Sequence, residues 1–263
     1  MEEVLHIKNV SKVYEGKVPH TALKNINLHV DKGEFVAIMG PSGSGKSTFL
    51  NVISTIDSPT SGDVVINGKK PHTFRREKLA IFRRQELGFV FQNFNLLDTL
   101  TIGENIVLPL TLDNVPLKEM DEKLDNISKK LGIDHILDKR IFEVSGGQAQ
   151  RTAVARAVIH HPSLLLADEP TGNLDSKAAI DVMELFTKLN NEEDATILMV
   201  THDPFAASYC NRVIFIKDGE LYNELHRGLY REKFYQEILD VLALLCHFWS
   251  YFALVLSNVL HYK

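Results

Sequence analysis

The sequence predicts an α/β fold in which helices flank a parallel β-sheet, with a small antiparallel β-subdomain and an inserted helical subdomain. Three observations predict it. Short apolar segments alternate with segments of helical periodicity along most of the chain, as in parallel sheets covered by helices. The first 30 residues alternate polar and apolar side chains as paired strands do. Helical segments follow one another without an intervening strand between about residues 95 and 161, which indicates the insertion.

Composition excludes several classes of protein. The chain has 263 residues, of which 44% are hydrophobic and 24% charged, enough to bury a sizeable core. A net charge of −5 argues against a nucleic-acid partner, because general nucleic-acid binders carry a basic excess. Two cysteines without a CxxC motif argue against a disulfide framework or a cysteine-based zinc site. The acidic, strand-like N-terminus is not a signal peptide, so we expect a cytoplasmic location.

Local signals place the individual elements. Asn67-Gly68 is a hairpin signal. Thr101 and Glu104 match a capping box, and the segment 116–132 opens with proline and closes with glycine, as helices do. In order, we predict strands at 4–10, 25–30 and 33–40, a helix at 46–55, strands at 62–70 and 87–92, helices at 101–110, 116–132 and 146–161, a strand at 163–169, a helix at 176–191, a strand at 196–203, a short helix, and a strand at 212–220.

The segment GPSGSGKS fits the pattern G-x-x-x-x-G-K-[S/T] and lies between a predicted buried strand and a predicted helix. Glycines let backbone N–H groups surround an oxyanion, Lys46 can reach the β- and γ-phosphates, and the Ser47 hydroxyl can bind Mg²⁺. The segment predicts a P-loop NTPase core that binds ATP and Mg²⁺. The predicted phosphate-binding residues are Gly40, Pro41, Ser42, Gly43, Ser44, Gly45, Lys46, Ser47 and Thr48.

A metal-binding carboxylate and a general base are predicted after the strand LLLAD. Asp168 ends this strand, where a hydrated Mg²⁺ would lie, and Glu169 follows it. Hydrolysis requires a group that orients and deprotonates water beside the γ-phosphate. We therefore predict that Asp168 is a metal ligand and that Glu169 is the general base.

A second glycine pair lies in the segment Ser145-Gly146-Gly147-Gln148, at the start of a predicted helix. Bare backbone N–H groups at a helix N-terminus attract phosphate. An ordinary glycine cap would be the alternative for this segment taken alone.

The order of these motifs resembles the nucleotide-binding subunits of ABC transporters, from residue 3 to about residue 225. The matching segments are Gly40–Ser47 (Walker A), Gln92 (Q-loop), Ser145–Gln148 (signature), Leu164–Asp168 with Glu169 (Walker B and catalytic glutamate), Asn173-Leu174-Asp175 (D-loop) and His202 (switch histidine).

The resemblance implies a head-to-tail homodimer with two ATP sites, in which the signature of one chain contacts the γ-phosphate held by the Walker A of the other. It implies that His202 contacts the γ-phosphate, that Gln92 senses Mg²⁺ and water, and that Asp175 acts across the interface. It also implies that Tyr14 stacks on adenine, with a core aromatic as the alternative.

Within this family, the segments GNLDS and SKVYEGKVPHTALKNINLHV resemble the branch that serves MacB-, lipoprotein-release- and FtsX-like permeases. Within that branch, NLLDTLT and especially THDPFAASYCNRVIFIKDGELY resemble the ATPases of bacitracin- and lantibiotic-resistance exporters. The resemblance implies a peripheral subunit on the cytoplasmic face of the membrane, an integral membrane permease partner and a sensor kinase reached through that permease. Lipoprotein release, macrolide export and a non-transport P-loop ATPase stay open as alternatives.

Two regions keep more than one interpretation. The basic cluster Arg75, Arg76, Lys78, Arg83 and Arg84 is either a solvated helix face or a surface for a membrane or partner. We assign residues 3–227 to the nucleotide-binding domain and 228–263 to a C-terminal tail of uncertain role. Residues 241–262 carry no fixed charge, and the tail is a packing helix, a membrane contact or an appended segment.

Overall fold

The computed structural model describes the backbone of residues 2–260 and the side chains of residues 2–245. The strands are β1 (Glu3–Tyr14), β2 (His20–Asp31), β3 (Phe35–Met39), β4 (Ser61–Ile66), β5 (Leu87–Phe91), β6 (Leu164–Asp168), β7 (Ile197–Val200), β8 (Arg212–Lys217) and β9 (Glu220–His226). The helices are α1 (Lys46–Ile53), α2 (Arg76–Glu86), α3 (Ile102–Leu112), α4 (Leu117–Lys130), α5 (Gly146–Val158), α6 (Ser176–Glu193), α7 (Pro204–Ala207) and α8 (Arg231–Leu260).

Two sheets organise the chain. The larger has the strand order β5-β6-β7-β3-β8-β9, and the smaller has the order β2-β1-β4. The first five strands in this order, from β5 through β3 to β8, pair in parallel, and β9 pairs with β8 as an antiparallel edge strand. The smaller sheet is antiparallel throughout. The predicted α/β fold is therefore confirmed, with an antiparallel edge strand that the sequence pattern did not reveal.

The larger sheet is buried on both faces. In β3, Phe35 and Met39 belong to the core under the α3–α6 helices, while Val36 and Ile38 belong to the core shared with β1, β2 and α1. Successive strand side chains point to opposite faces. A short all-apolar strand is consequently the pattern that this position requires.

Helices α3, α4 and α5 lie consecutively between β5 and β6, as the sequence predicts. The Thr101 hydroxyl accepts a hydrogen bond from the Glu104 N–H at 3.2 Å, and the Glu104 carboxylate accepts one from the Thr101 N–H at 2.7 Å. This reciprocal pair is the predicted capping box.

The first part of the C-terminal tail packs on the core. Phe234 and Ile238 are 1% and 0% exposed and belong to the same apolar core as Phe35 and Phe186. The packing interpretation therefore applies to residues 231–245. The side chains of 246–260, and residues 261–263 altogether, lie outside the described part of the chain. No helix within that described part combines the length and apolar character needed to cross a bilayer.

Candidate nucleotide site

The predicted site residues come from loops at the carboxyl ends of parallel strands. The P-loop follows β3, Gln92 follows β5, Asp168 ends β6, and His202 follows β7. These four strands are neighbours in the order β5-β6-β7-β3. Their carboxyl ends meet at one edge of the sheet, which is where ligands bind in folds of this type.

The P-loop packs closely against the backbone of β8 and β2. Gly40 and Gly45 have φ values of 151° and 107°. A Cβ at Gly40 would lie 2.1 Å from the Ile216 carbonyl oxygen, and one at Gly45 would lie 2.5 Å from the Ala22 carbonyl oxygen. Only glycine combines these dihedrals with such close approach, so the loop's amide groups are left free of side-chain cover.

Lys46 lies folded back inside this loop. Its Nζ donates to the carbonyl oxygens of Gly40 at 2.8 Å and Pro41 at 2.9 Å. Burial lowers the pKa of the Lys46 ammonium, and the nearby charges of Glu169 and Asp168 act in the opposite direction. A phosphate placed in the loop would supply the negative charge that this half-buried cation lacks.

Asp168 and Glu169 face the same space from the end of β6. Burial raises the pKa of the Asp168 carboxyl, the charge of Glu169 raises it further, and Lys46 lowers it. Glu169 has a φ of 46°, in the left-handed region that a residue with a side chain rarely adopts. This dihedral turns the chain sharply after the strand, and the Glu169 N–H still bonds the Val200 carbonyl at 2.9 Å.

The Glu169 carboxylate is held by the loop after β7. Its Oε1 lies 2.7 Å from His202 Nδ1, and its Oε2 accepts from the Thr201 hydroxyl at 3.1 Å and the His202 N–H at 3.3 Å. The Glu169 side chain is 16% exposed, while that of His202 is 72% exposed. The structure thus joins two residues predicted to be catalytic, with the histidine ring on the solvent side.

The chemistry of the predicted metal ligands fits magnesium. Within residues 2–245, no group of three or more histidine, cysteine, aspartate or glutamate side chains could hold a metal. Mg²⁺ in phosphate-transfer sites is bound by one or two protein oxygens together with substrate phosphates. The predicted ligand set of Ser47, Asp168 and Gln92 supplies hard oxygen atoms of that kind.

Gln92 is engaged by the segment after Glu169. Its Nε2 lies 3.3 Å from Asn173 Oδ1, and the Asn173 amide donates to the Gln92 carbonyl at 3.1 Å and to Asn93 Oδ1 at 2.7 Å. A Cβ at Gly172 would lie 2.7 Å from Gln92 Nε2. Asn173 thereby fixes the position of the Gln92 loop relative to β6.

The second glycine pair forms the exposed N-terminus of α5. The Ser145 hydroxyl accepts from the Gln148 N–H at 3.3 Å, and Gln148 Oε1 accepts from the Ser145 N–H at 2.9 Å. This capping box leaves the Gly146 and Gly147 amides among the unpaired N–H groups of the first turn. The helix ends at Val158, three residues before the predicted end at residue 161.

The α5 N-terminus does not share the P-loop's surroundings. α5 packs against β5, and β5 and β3 are separated by three strand spacings in the sheet, or about 14 Å. Gly146 lies near Leu174, and Gly147 lies near Ala178 at the start of α6. Asp175 caps α6 through the Ala178 N–H at 2.9 Å.

Tyr14 ends β1 and is 38% exposed. The Lys12 ammonium lies 4.9 Å from the centre of its ring and is paired with Asp57 at 2.6 Å. A half-exposed ring of this kind offers one face for stacking. The core-aromatic interpretation does not describe it.

An open apolar groove of about 560 Å³ lies on the far side of β5. Arg156 of α5 is one of its lining residues. Its guanidinium donates to the carbonyl oxygens of Asn95 at 2.6 Å and Phe94 at 2.9 Å. The lining residues are Ile56, Ala80, Arg83, Arg84, Leu87, Gly88, Phe89, Phe91, Asn95, Leu108, Pro109, Leu112, Arg156, Ala157 and His160. Part of the basic cluster therefore borders a groove, and Arg84 is also paired with Asp113.

The sequence did not predict the roles of Thr201 and Asn173 in the nucleotide site, where they hold Glu169 and the Gln92 loop. Both belong to segments that sequence reasoning had singled out, THD and NLD. Their contacts are hydrogen bonds between distant segments of the chain, which sequence spacing does not reveal.

Comparisons with known proteins are consistent with this geometry. A family model described as ABC transporter matches residues 23–172. The chain is 64% identical to the ABC transporter ATP-binding protein YxdL of Bacillus subtilis, over 93% of this chain and 95% of the relative. It is 50% identical to the bacitracin export ATP-binding protein BceA of Halalkalibacterium halodurans, over 92% and 96% of the two chains.

Among solved structures, the fold is similar to a dimeric post-hydrolysis state of the ATP-binding cassette MJ0796, bound to ADP and Pi, from Methanocaldococcus jannaschii. The TM-score is 0.78 at 42% sequence identity, covering 86% of this chain and 100% of that one.

Proposed function

The chain belongs to the ABC transporter family, whose ATP-binding subunits hydrolyse ATP, and on that premise we propose that it powers a membrane permease that exports or removes antimicrobial peptides. The observation that best supports the ATP-hydrolysing part of the proposal is the assembly of Lys46, Asp168, Glu169 and His202 at one edge of the sheet, with the N-terminus of α5 left open elsewhere on the chain. The substrate is proposed from the relative that is named for bacitracin export. We propose that the P-loop site of one chain is completed by the α5 N-terminus of a second copy.

Two chains in head-to-tail arrangement form the proposed catalytic unit. Each P-loop binds one ATP, and the exposed α5 N-terminus of the partner covers its γ-phosphate with the Ser145, Gly146 and Gly147 groups. The positive end of a helix attracts such an anion. The separation of about 14 Å between β3 and β5 supports closure by a partner rather than by the same chain.

The contacts described above support the following catalytic roles. Glu169 takes a proton from water while the water oxygen bonds to the γ-phosphorus and ADP leaves with the bridging oxygen. His202, exposed and adjacent to Oε1, turns toward the γ-phosphate. Gln92, whose Nε2 lies 3.3 Å from Asn173 Oδ1, would be available to hold a metal ion. Bound Mg²⁺ would neutralise phosphate charge, with Ser47, Asp168 and Gln92 as its protein ligands, and Tyr14 would stack on adenine.

We propose that the permease docks in the apolar groove beside β5. The groove borders the Gln92 loop through Asn95, and Arg83 places positive charge at its rim. An apolar segment with an acidic residue would be complementary to it. The subunit then lies on the cytoplasmic face of the membrane, and a sensor kinase would be reached through the permease.

The catalytic proposal is tested with Glu169→Gln. This variant keeps the shape of the base but cannot accept the proton, so MgATP is expected to trap a dimer detectable by size-exclusion chromatography. Glu122→Gln, at an exposed position on α4, is the matched control and should hydrolyse ATP like the unchanged protein. A Glu169→Gln chain that stays monomeric with MgATP would contradict both the base and the dimer.

The substrate is tested in the native host. Replacement of the chromosomal copy by Glu169→Gln should lower the inhibitory concentration of bacitracin or a lantibiotic and leave that of a macrolide unchanged. The relative that is named for bacitracin export supports this choice. A change confined to macrolides would instead favour the macrolide-export alternative.

A further inference from the structure

The Thr201 side chain lies completely buried between the Glu169 carboxylate and the start of α7. It is 0% exposed. Its Oγ1 is 3.1 Å from Glu169 Oε2 and accepts a hydrogen bond from the Asp203 N–H at 3.0 Å. The hydroxyl therefore has two partners at once.

The direction of both hydrogen bonds is determined by chemistry. A backbone N–H can only donate, so Asp203 uses an acceptor lone pair of the hydroxyl. The Thr201 proton remains for Glu169 Oε2, which as part of an ionised carboxylate can only accept. The Thr201 hydroxyl therefore makes a charge-assisted hydrogen bond with the Glu169 carboxylate, at 3.1 Å.

The hydroxyl is also anchored to the strands that carry the site. The Thr201 N–H donates to the Ile38 carbonyl at 3.1 Å, and Ile38 belongs to β3, which leads into the P-loop. Glu169 is anchored separately through its N–H to Val200 at 2.9 Å. Thr201 thus sets the carboxylate in register with the strand that carries the phosphate-binding loop.

The two oxygens of Glu169 are consequently not equivalent. Oε2 faces the buried Thr201 hydroxyl and the His202 N–H, while Oε1 faces the His202 ring, whose side chain is 72% exposed. Movement of that ring would uncover Oε1, whereas Oε2 would keep its buried donor.

We propose that Thr201 is a positioning residue for Glu169: its hydroxyl holds Oε2 so that Oε1 is the oxygen that receives the proton from water. This rests on the proposed role of Glu169 as the base. Thr201 is completely buried, so it acts on the rate through Glu169, by restricting the carboxylate to one orientation.

The experiment compares two conservative substitutions of Thr201, each of which changes one of the two groups on its Cβ. Thr201→Val keeps the β-branched shape and loses the hydroxyl, while Thr201→Ser keeps the hydroxyl and loses the methyl. For the full chain, we measure the kcat and KM of MgATP hydrolysis and the thermal unfolding temperature. Thr201→Val should lower kcat by about 10-fold, the loss expected for one hydrogen bond to a charged group. Its KM should stay within about 2-fold, and Thr201→Ser should stay within about 3-fold of the unchanged protein in kcat.

Three results would overturn the proposal: a kcat of Thr201→Val within 2-fold of the unchanged protein, a Thr201→Ser variant as slow as Thr201→Val, or a rise in KM and a fall in unfolding temperature parallel to the loss of kcat. Glu169→Gln measured in the same series separates the two ideas. An active Glu169→Gln chain would reject Glu169 as the base, whereas an inactive one beside a fully active Thr201→Val chain would reject only the role of Thr201.

Discussion

Gly146→Ala separates the two functions that a glycine at the start of α5 can have. In the single chain, an added Cβ would meet Leu174 Cδ2 at 3.7 Å and Phe94 Cζ at 4.0 Å, which are ordinary contacts. The φ of Gly146 also lies outside the left-handed region. Nothing in one chain therefore opposes a methyl group here, but a phosphate resting on this amide would leave no room for it.

The expected magnitudes have opposite signs for stability and activity. Replacing a compatible glycine by alanine stabilises a fold by about 0.4–1 kcal/mol because the unfolded chain loses freedom. For a chain of this size, that raises the unfolding temperature by about 1–4 °C. If the methyl displaces the phosphate from one amide, the hydrogen bond lost is worth about 1.5–3 kcal/mol, which lowers the ATPase rate by roughly 10- to 100-fold.

The assay pairs thermal unfolding of the nucleotide-free chain with steady-state ATPase activity, and Gly228→Ala is the matched control. Gly228 is exposed, and a Cβ there would meet nothing within 4 Å. The ATPase activity of this control should therefore be unchanged, while its unfolding temperature should rise by the same small amount as that of Gly146→Ala. A Gly146→Ala chain with full activity would refute phosphate binding at this helix end. A chain that loses activity and unfolds at a lower temperature would show a structural role instead.

Three further predictions concern the nucleotide and the C-terminal helix. Lys46→Ala should abolish most ATP affinity, measured by titration with a fluorescent nucleotide, because it removes the cation folded inside the P-loop. Tyr14→Ala should weaken nucleotide binding by about 1–3 kcal/mol in the same titration, and unchanged binding would remove the stacking role. Phe234→Ala should destabilise the fold by about 3–5 kcal/mol, whereas Leu244→Ala, at a 63% exposed position on the same helix, should have little effect on thermal unfolding. Equal shifts in the last pair would contradict the packing of α8.

The sequence predicts the central sheet well because its strands are buried on both faces. A short apolar strand such as LLLAD is typical of a sheet that is covered on both faces. The turn residues around it favour the same structure. Edge strand β9 was missed because its segment ELYNELH is mostly exposed and lacks the apolar alternation of a half-buried strand. Its place is fixed by pairing with β8, which is a non-local contact.

The C-terminal helix shows a different limit of sequence reasoning. An uncharged apolar helix has the same pattern whether it packs on a core or contacts lipid. Of the uncharged residues 241–262, Val241 and Leu245 are 7% and 1% exposed and pack on the core, as Phe234 and Ile238 do ahead of them, through contacts with distant segments. The side chains from residue 246 onward lie outside the described part of the chain. The predicted boundary at residue 227 lies between the segment that carries the nucleotide-binding motifs and the C-terminal helix. It is not a boundary between two apolar cores, because α8 packs on the core of the preceding residues.

The connection between α5 and the catalytic strand explains how closure by a partner can affect a site in the same chain. Gln150 of α5, 0% exposed, donates to the Pro170 carbonyl at 2.7 Å, directly after Glu169. Asn173, three residues farther on, bonds the Gln92 loop. In the proposed dimer, phosphate held by the partner would contact the α5 N-terminus, and we expect a displacement there to be passed to Glu169 and Gln92 through these two amides. The same contacts join the groove beside β5 to the base, since Arg156 of α5 holds the carbonyl groups of Phe94 and Asn95. If the permease docks in this groove as proposed, binding at α5 would affect both the nucleotide site and the docking surface, as a transport motor requires.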